Sequence, residues 1–111
     1  MKLVYVCSPL RGDIDTNLIN AMYYSKYVAI CGYIPITPHL YFTRFLNDIV
    51  DEERELGIKM GMELLKHCDE IWVFGDYISK GMRNEINVAC EIGITLKFID
   101  SDLIFRALKS P

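Results

Sequence analysis

Short apolar runs rich in β-forming residues alternate with helical stretches from one end of this chain to the other, and that alternation restricts the possible folds severely. Leu3 to Cys7 is the first such run; it stops at Ser8-Pro9 and reads as a strand buried on both faces. From Ile14 to about Cys31 apolar residues recur at helical spacing (Ile14, Leu18, Ala21, Met22, Val28), with Asp13, Asp15 or Thr16 as N-cap and Gly32 as C-cap. Tyr33 to Thr37 is a second, short strand, because Pro35 has no N–H to give to a ladder. A short helix is expected over residues 40 to 48 and a longer one over Asp51 to His67, where Leu56, Met60 and Leu64 fall on one stripe and Gly57 and Gly61 stand four apart. Glu70 to Phe74 forms a third strand closed by Gly75, and Gly81 to about Gly93 a further helix. Thr95 to Ile99 gives a fourth strand before a terminal helix at about 102 to 109. A parallel sheet covered on both faces follows from this order.

The length of 111 residues, about half of them apolar, matches one domain spanning residues 1 to 111 with a core of its own. The formal charge of −3 and the pI near 5.3 argue against a nucleic-acid polymer as partner, since such affinity comes largely from lysine and arginine, and favour a small molecule. Cys7, Cys31, Cys68 and Cys90 are widely spaced and form no C-x-x-C pair, which signals neither a zinc site nor a disulfide framework and points to reduced thiols in the cytoplasm. His39 and His67 form no H-x-x-x-H pair, so no metal is expected. The N-terminal apolar run is too short for a signal peptide, and no stretch is long enough to span a membrane.

Three segments carry candidate chemistry. Ser79 to Ala89 sets a serine, a glycine and Glu85 just beyond the third strand, where the chain turns into a helix. In a wound α/β fold, ligands bind outside the carboxyl ends of the strands, and the free N–H groups of a following helix attract anions, which places Glu85 at a ligand cleft. The loop Ser8-Pro9-Leu10-Arg11-Gly12 after the first strand offers a hydroxyl, a guanidinium and a flexible glycine, a phosphate cradle. It is neither a Walker loop nor G-x-G-x-x-G, so nothing indicates ATP or NAD, and no cofactor is expected. In Thr37-Pro38-His39-Leu40-Tyr41-Phe42 an imidazole and two aromatics could flank a flat base. Plainer roles compete: Glu85 also suits the helix dipole, Ser79 an N-cap, Tyr5 the core, and Arg11 a surface ion pair.

These residues resemble the nucleoside 2-deoxyribosyltransferase-like family, which includes the 2′-deoxynucleoside 5′-phosphate N-hydrolases and small bacterial and phage members of unassigned role. The resemblance covers most of the chain and rests on Tyr5, on Cys7 to Gly12, on Cys68 to Phe74, and on Ser79-x-Gly81-x-x-x-Glu85-x-x-x-Ala89. It implies a single flavodoxin-like or Rossmann-like three-layer α/β domain with a parallel sheet of four to five strands. It also implies that Glu85 attacks the anomeric carbon, that Tyr5 holds that carboxylate, and that Ser8 to Gly12 bind the sugar's 5′ end. The candidate substrate-binding set is then Cys7, Ser8, Pro9, Leu10, Arg11, Gly12, His39, Ser79, Gly81 and Met82. Six residues before the nucleophile, the family's nucleoside transferases resemble one another in carrying aspartate and the monophosphate hydrolases in carrying serine; here the residue is Ser79. A hydroxyl donates to phosphate where a carboxylate repels it, which favours a 5′-monophosphate. Glu85, in the first turns of its helix, is expected to be ionised at neutral pH.

The chain departs from the family pattern at three places. Gly61 stands where the family has an acid two helical turns before Asp69, leaving Glu63, Asp13 or His39 as substitute proton donors. Arg83 and Asn87 replace glycines on either side of the nucleophile and would tighten or block a pocket. The leading expectation is an enzyme that cleaves or transfers an N-glycosidic bond of a nucleoside or its 5′-monophosphate. The rivals are a non-catalytic nucleotide-binding or sensing domain, and a phosphoribohydrolase resembling cytokinin-activating enzymes, whose G-G-x-G-T-x-x-E run is absent. In the resembling family a neighbouring subunit often completes the pocket, so a homodimer is expected, with the aromatic surface of the first helix as its contact.

Overall fold

Side chains of the first strand, β1 (Leu3–Cys7), alternate between the two faces of a sheet, and both faces are buried. Tyr5 and Cys7 pack on one side with Leu65, Ile71, Val73, Met82 and Ala89. Val4 and Val6 pack on the other with Val28, Trp72, Phe74 and Ile104. A strand apolar on both faces must lie inside a sheet covered twice. In the computed structural model, which describes residues 1–109, it does; Ser110 and Pro111, included in the expected domain, lie outside the described residues.

The elements follow in the order β1, α1 (Ile14–Ile30), β2 (Ile34–Ile36), α2 (Pro38–Phe42), α3 (Asp51–Lys66), β3 (Glu70–Val73), α4 (Lys80–Ile92), β4 (Thr95–Phe98) and α5 (Ser101–Lys109). The strands form one parallel sheet of order β2-β1-β3-β4, a flavodoxin-like α/β arrangement. Tyr5 lies in register with Ile36 on one side and Ile71 on the other. Pro35 sits in the edge strand β2, where its missing N–H costs the ladder least. The chain runs from β1 outward to β2 and then crosses to β3, so the order reverses beside the carboxyl end of β1. That end is where ligands bind in such sheets.

Local signals fix the helix ends. Asp13 caps α1 by accepting from the Thr16 N–H at 3.2 Å, and Ser79 caps α4 by accepting from the Met82 N–H at 3.2 Å. Gly93, at φ +76°, closes α4 in the left-handed region. The cap of α1 is Cys31, with Gly32 one residue further on. The short helix begins at Pro38, earlier than the expected residue 40, because proline's fixed φ suits a first helical position. The stripe Leu56, Met60, Leu64 faces outward, with Leu56 and Leu64 exposed; α3 packs instead through Gly61 and Leu65. Trp72 is core, Tyr24 stacks on Phe74 at 4.6 Å, and Tyr23 is exposed on α1. Among the described residues no helix is long and apolar enough to cross a membrane.

Glu70 is a buried carboxylate at the start of β3, remote from the strands' carboxyl ends. Its Oε1 accepts from the Trp72 indole N–H at 2.9 Å, and Lys97 and Lys2 approach at 3.5 and 3.6 Å. The indole hydrogen bond, with the two ammonium groups, holds its pKa below the ordinary carboxylate value in spite of burial. A lowered folded-state pKa places the stabilisation in the ionised form, present above the unfolded pKa and lost as pH falls through the folded one. Glu70→Ala also strands the buried indole N–H. It is expected to cost about 2–3 kcal/mol at pH 7, read as a lower urea midpoint at unchanged m from the emission of Trp72, the chain's single tryptophan. The deficit should shrink as pH falls through the lowered folded-state pKa of Glu70.

Candidate active site

Because the strands are parallel, the loops after β1, β2 and β3 emerge on one side of the sheet, and with α2, α3 and the start of α4 they enclose a cavity of about 750 Å³. That volume lies in the range of small-molecule sites. Its floor is built from β1 and α4. The Tyr5 hydroxyl donates to Oε2 of Glu85, and the Cys7 thiol, on the same face two residues along, points at Oε1 from 3.4 Å. Both oxygens of one carboxylate are thus held from below by groups that can only rotate with difficulty in a packed core.

The charges on this floor are set by burial. Desolvation, then the charge of Glu85 and the hydrogen bond to it, push the Tyr5 phenol well above its ordinary pKa. Desolvation and the same carboxylate push the Cys7 thiol upward as well. Both therefore remain protonated donors at neutral pH. Burial raises Glu85 itself above the ordinary carboxyl value, opposed by the Tyr5 hydroxyl, the positive charge of His39 and the Cys7 thiol. Burial rather than the helix dipole governs this carboxylate: Glu85 is six residues into α4, beyond the first turn where the dipole acts.

One end of the cavity is polar. Ser8 is buried and lines it, and its Oγ has no hydrogen-bond partner among the described residues. Lys80 and Gly81, the first residues of α4, line the same cavity with Ser79, whose hydroxyl is occupied as the cap. Leu10, Arg11 and Gly12 complete this side. Asn17 pins their loop by donating to the carbonyls of Leu10 and Arg11 at 2.9 and 3.2 Å, and Gly12, at φ +99°, turns it into α1. The Arg11 Nε lies 3.7 Å from Asp48, which also lines the cavity. His39 lines the opposite side, and its Nε2 sits 2.9 Å from the Ser8 carbonyl oxygen. Its segment is anchored where the Thr37 hydroxyl meets Ser25 of α1 at 2.6 Å. Pro38, Phe42, Leu46, Ile58 and Met62 form an apolar wall.

The structure therefore brings together Tyr5, Ser8, Leu10, Arg11, Gly12, His39, Ser79, Gly81, Met82 and Glu85 around one space. Two of the expected binding residues do not line it. Cys7 is fully buried, its thiol covered by the Glu85 carboxylate and the Met82 carbonyl, and Pro9 packs against Gly75. Of the two aromatics only Phe42 lines the cavity; Tyr41 is exposed. Arg83 and Asn87 are both exposed and outside the lining, so neither obstructs it. A Cβ at Gly61 would stand 3.3 Å from the Tyr5 hydroxyl and 3.8 Å from Pro38. Gly61 thus faces this floor, and glycine leaves the space above it open. Glu63 is exposed and paired with Lys66, and Asp13 is spent as the α1 cap. Asp48, Glu53, Arg54, Ile58, Met62, Lys80 and Asn84 were not anticipated. The periodicity Arg54, Gly57, Ile58, Gly61, Met62, Leu65 marks the inward face of α3 and could have revealed several of them.

A sequence model described as Domain of unknown function (DUF7768) matches residues 2–99. The chain belongs to this DUF7768 family. No curated protein matches the sequence. Among solved structures, the 2-deoxyribosyltransferase from the psychrotolerant bacterium Bacillus psychrosaccharolyticus is similar at TM-score 0.69 and 17% identity, over 92% of this chain and 79% of that one. The 2-desoxiribosyltransferase from Leishmania mexicana is similar at TM-score 0.58 and 19% identity, over 89% of this chain. The DUF7768 chain spans 64% of that enzyme's length. At these identities the likeness is one of fold.

Burial of the Glu85 carboxylate has a measurable consequence for stability. A raised folded-state pKa means that the ionised form destabilises the fold, increasingly as pH rises through that value. Glu85→Gln, whose amide oxygen can still accept from Tyr5, should melt higher than the natural protein at pH 8, by on the order of 1 kcal/mol of stability. The difference should close as pH is lowered and Glu85 takes up its proton. A natural protein that melts higher than the variant at pH 8 would contradict this account of the floor.

Proposed function

We propose that this protein binds a nucleoside 5′-monophosphate, or the nucleoside, in the 750 Å³ cavity and cleaves or transfers its N-glycosidic bond with Glu85 as nucleophile. The observation that carries this reading is the Glu85 carboxylate, aimed into the cavity and held on both oxygens by Tyr5 and Cys7. Breaking an N-glycosidic bond develops positive charge on the sugar ring, which a fixed, partly desolvated carboxylate stabilises most strongly in the transition state. Collapse of Glu85 onto the anomeric carbon gives a glycosyl ester for water or a second base to resolve. Tyr5 and Cys7 keep the acid in the attacking rotamer while sharing its charge.

The polar end of the cavity supports a phosphate. A buried, unpartnered Ser8 hydroxyl is costly unless a ligand uses it. The first N–H groups of α4, beside Lys80 and Arg11, supply positive potential at the same end. The apolar wall of Phe42, Ile58 and Met62 offers the base a flat contact. The fold shared with 2-deoxyribosyltransferases supports glycosyl transfer at this coarse level. A non-catalytic nucleotide-binding domain is the second reading, favoured by Gly61, which leaves α3 without an acid over the floor.

Incubation with ribo- and deoxyribonucleoside monophosphates, followed by chromatography for free base, separates the two. Base release that falls at least about 10³-fold in Glu85→Ala is the expected result. Tight nucleotide binding with no base release would establish the second reading instead. Arg11→Ala should weaken monophosphates about 10- to 100-fold while leaving nucleosides nearly unchanged. Equal loss for both would remove the phosphate from the proposal.

A further inference from the structure

Cleavage of an N-glycosidic bond leaves an electron pair on the departing base, and a proton delivered there makes the base a far better leaving group. No group on α3 can deliver it. Gly61 has no side chain, and Glu63 is exposed and paired with Lys66. Among the remaining titratable groups that line the cavity, Asp48 is paired with Arg11, Arg54 is paired with Asp51, Glu53 accepts from the Asn47 N–H at 3.2 Å, and Lys80 stands with Ser79 and Gly81 at the start of α4, the end assigned to the phosphate rather than the base. Tyr5 is committed to Glu85, and burial keeps its proton on the phenol. His39 is left.

We propose, resting on the glycosidic reading above, that His39 is the catalytic proton donor to the leaving base, replacing the acid that Gly61 lacks. The Ser8 carbonyl can only accept, so the 2.9 Å contact requires a proton on Nε2. The tautomer is thereby set, and Nδ1 is the ring nitrogen that His39 offers to a ligand. His39 and Glu85 line the same cavity, so acid and nucleophile share one site. Pro38 and Phe42, on either side of the imidazole in the chain, belong to the apolar wall against which a base would lie.

The step balances as follows. With His39 as imidazolium, the C1′–N bond breaks with its electron pair passing to the base, and the base takes the proton from Nδ1. A lone pair of Glu85 forms the bond to C1′. The products are neutral base, neutral imidazole and a glycosyl ester. In hydrolysis, Nδ1 then takes a proton from water as the water oxygen bonds to C1′, and the ester C–O pair returns to Glu85. Sugar phosphate leaves, and imidazolium and carboxylate are restored. With a second base in place of water, its N–H proton goes to Nδ1 in the same way.

The test compares 2′-deoxyguanosine 5′-monophosphate with its 7-methyl derivative, whose base already carries positive charge and departs without protonation. His39→Gln keeps an amide N–H for the Ser8 carbonyl and removes the titrating nitrogen; His39→Ala is the second variant, and thermal melting verifies that each folds. Release of guanine should slow about 10²- to 10³-fold, while release of 7-methylguanine changes less than about threefold. Equal slowing for both substrates, or for neither, would overturn the proposal. An observation independent of turnover is the ¹⁵N spectrum of the His39 ring, expected to show the Nε2–H tautomer at pH 8; an Nδ1–H tautomer would also overturn it. Should the unaltered protein release base from neither substrate, the glycosidic reading itself falls, whereas selective loss in the variants alone bears on His39.

Discussion

The hydrogen bond from Tyr5 to Glu85 joins a central, buried strand of the sheet to the helix that begins at its carboxyl edge, and the arrangement of the cavity depends on it. Tyr5 can serve only because β1 is central, in register with β2 and β3, so that its ring is packed and its hydroxyl has one place to go. Glu85 can serve only because Ser79 starts α4 at one definite residue; a helix begun one residue later would swing the carboxylate about 100° around the axis. The cap, the strand register and the acid are therefore a single device. Loosening any of them would misplace the charge that the proposed reaction requires.

Holding a carboxylate in this way is unfavourable for folding. Glu85 is taken out of water far enough that burial dominates its titration, and the three groups that offset this are two neutral donors and one imidazole rather than an arginine or lysine ion pair. A tight ion pair would quench the nucleophile, whereas neutral donors orient it and leave most of its charge available. Glu70 shows the opposite solution on the same sheet. There an indole and two lysines hold the pKa low, the charge is compensated, and the group is positioned to stabilise rather than to react. The two carboxylates thus differ in how their charge is compensated, and the uncompensated one is the one that lines the cavity.

Strand β1, the capped helices and the loop after Ser8 were legible because each is written in local chemistry: a β-rich run, an N-cap, a proline stop. The parallel order followed from their alternation. On α3 the inward face runs through Gly57, Gly61 and Leu65, and it is hard to read because glycines register weakly in any apolar pattern. Cys7, read as a binding residue, shares the Tyr5 face of β1, but the Glu85 carboxylate covers its thiol and lines the cavity in its place. Asp48 could not be found from spacing, since what brings it to the cavity is the path of the residues between α2 and α3.

Ser8 links the two halves of the cavity in a way that neither half shows alone. Its carbonyl fixes the tautomer of His39, and its hydroxyl, buried and unpartnered, faces the end lined by the first turn of α4. Ser8 is also the first residue beyond β1, so its backbone is held by the strand, and the Phe74 N–H donates to the carbonyl of Cys7 beside it at 2.9 Å. A group that bonds to the Ser8 hydroxyl thus settles on a backbone already rigid, and the imidazole is referenced to that same backbone. Distances between an anion, an imidazole and Glu85 are consequently set by one strand end. That is the economy of building a site at the point where the order of a parallel sheet reverses.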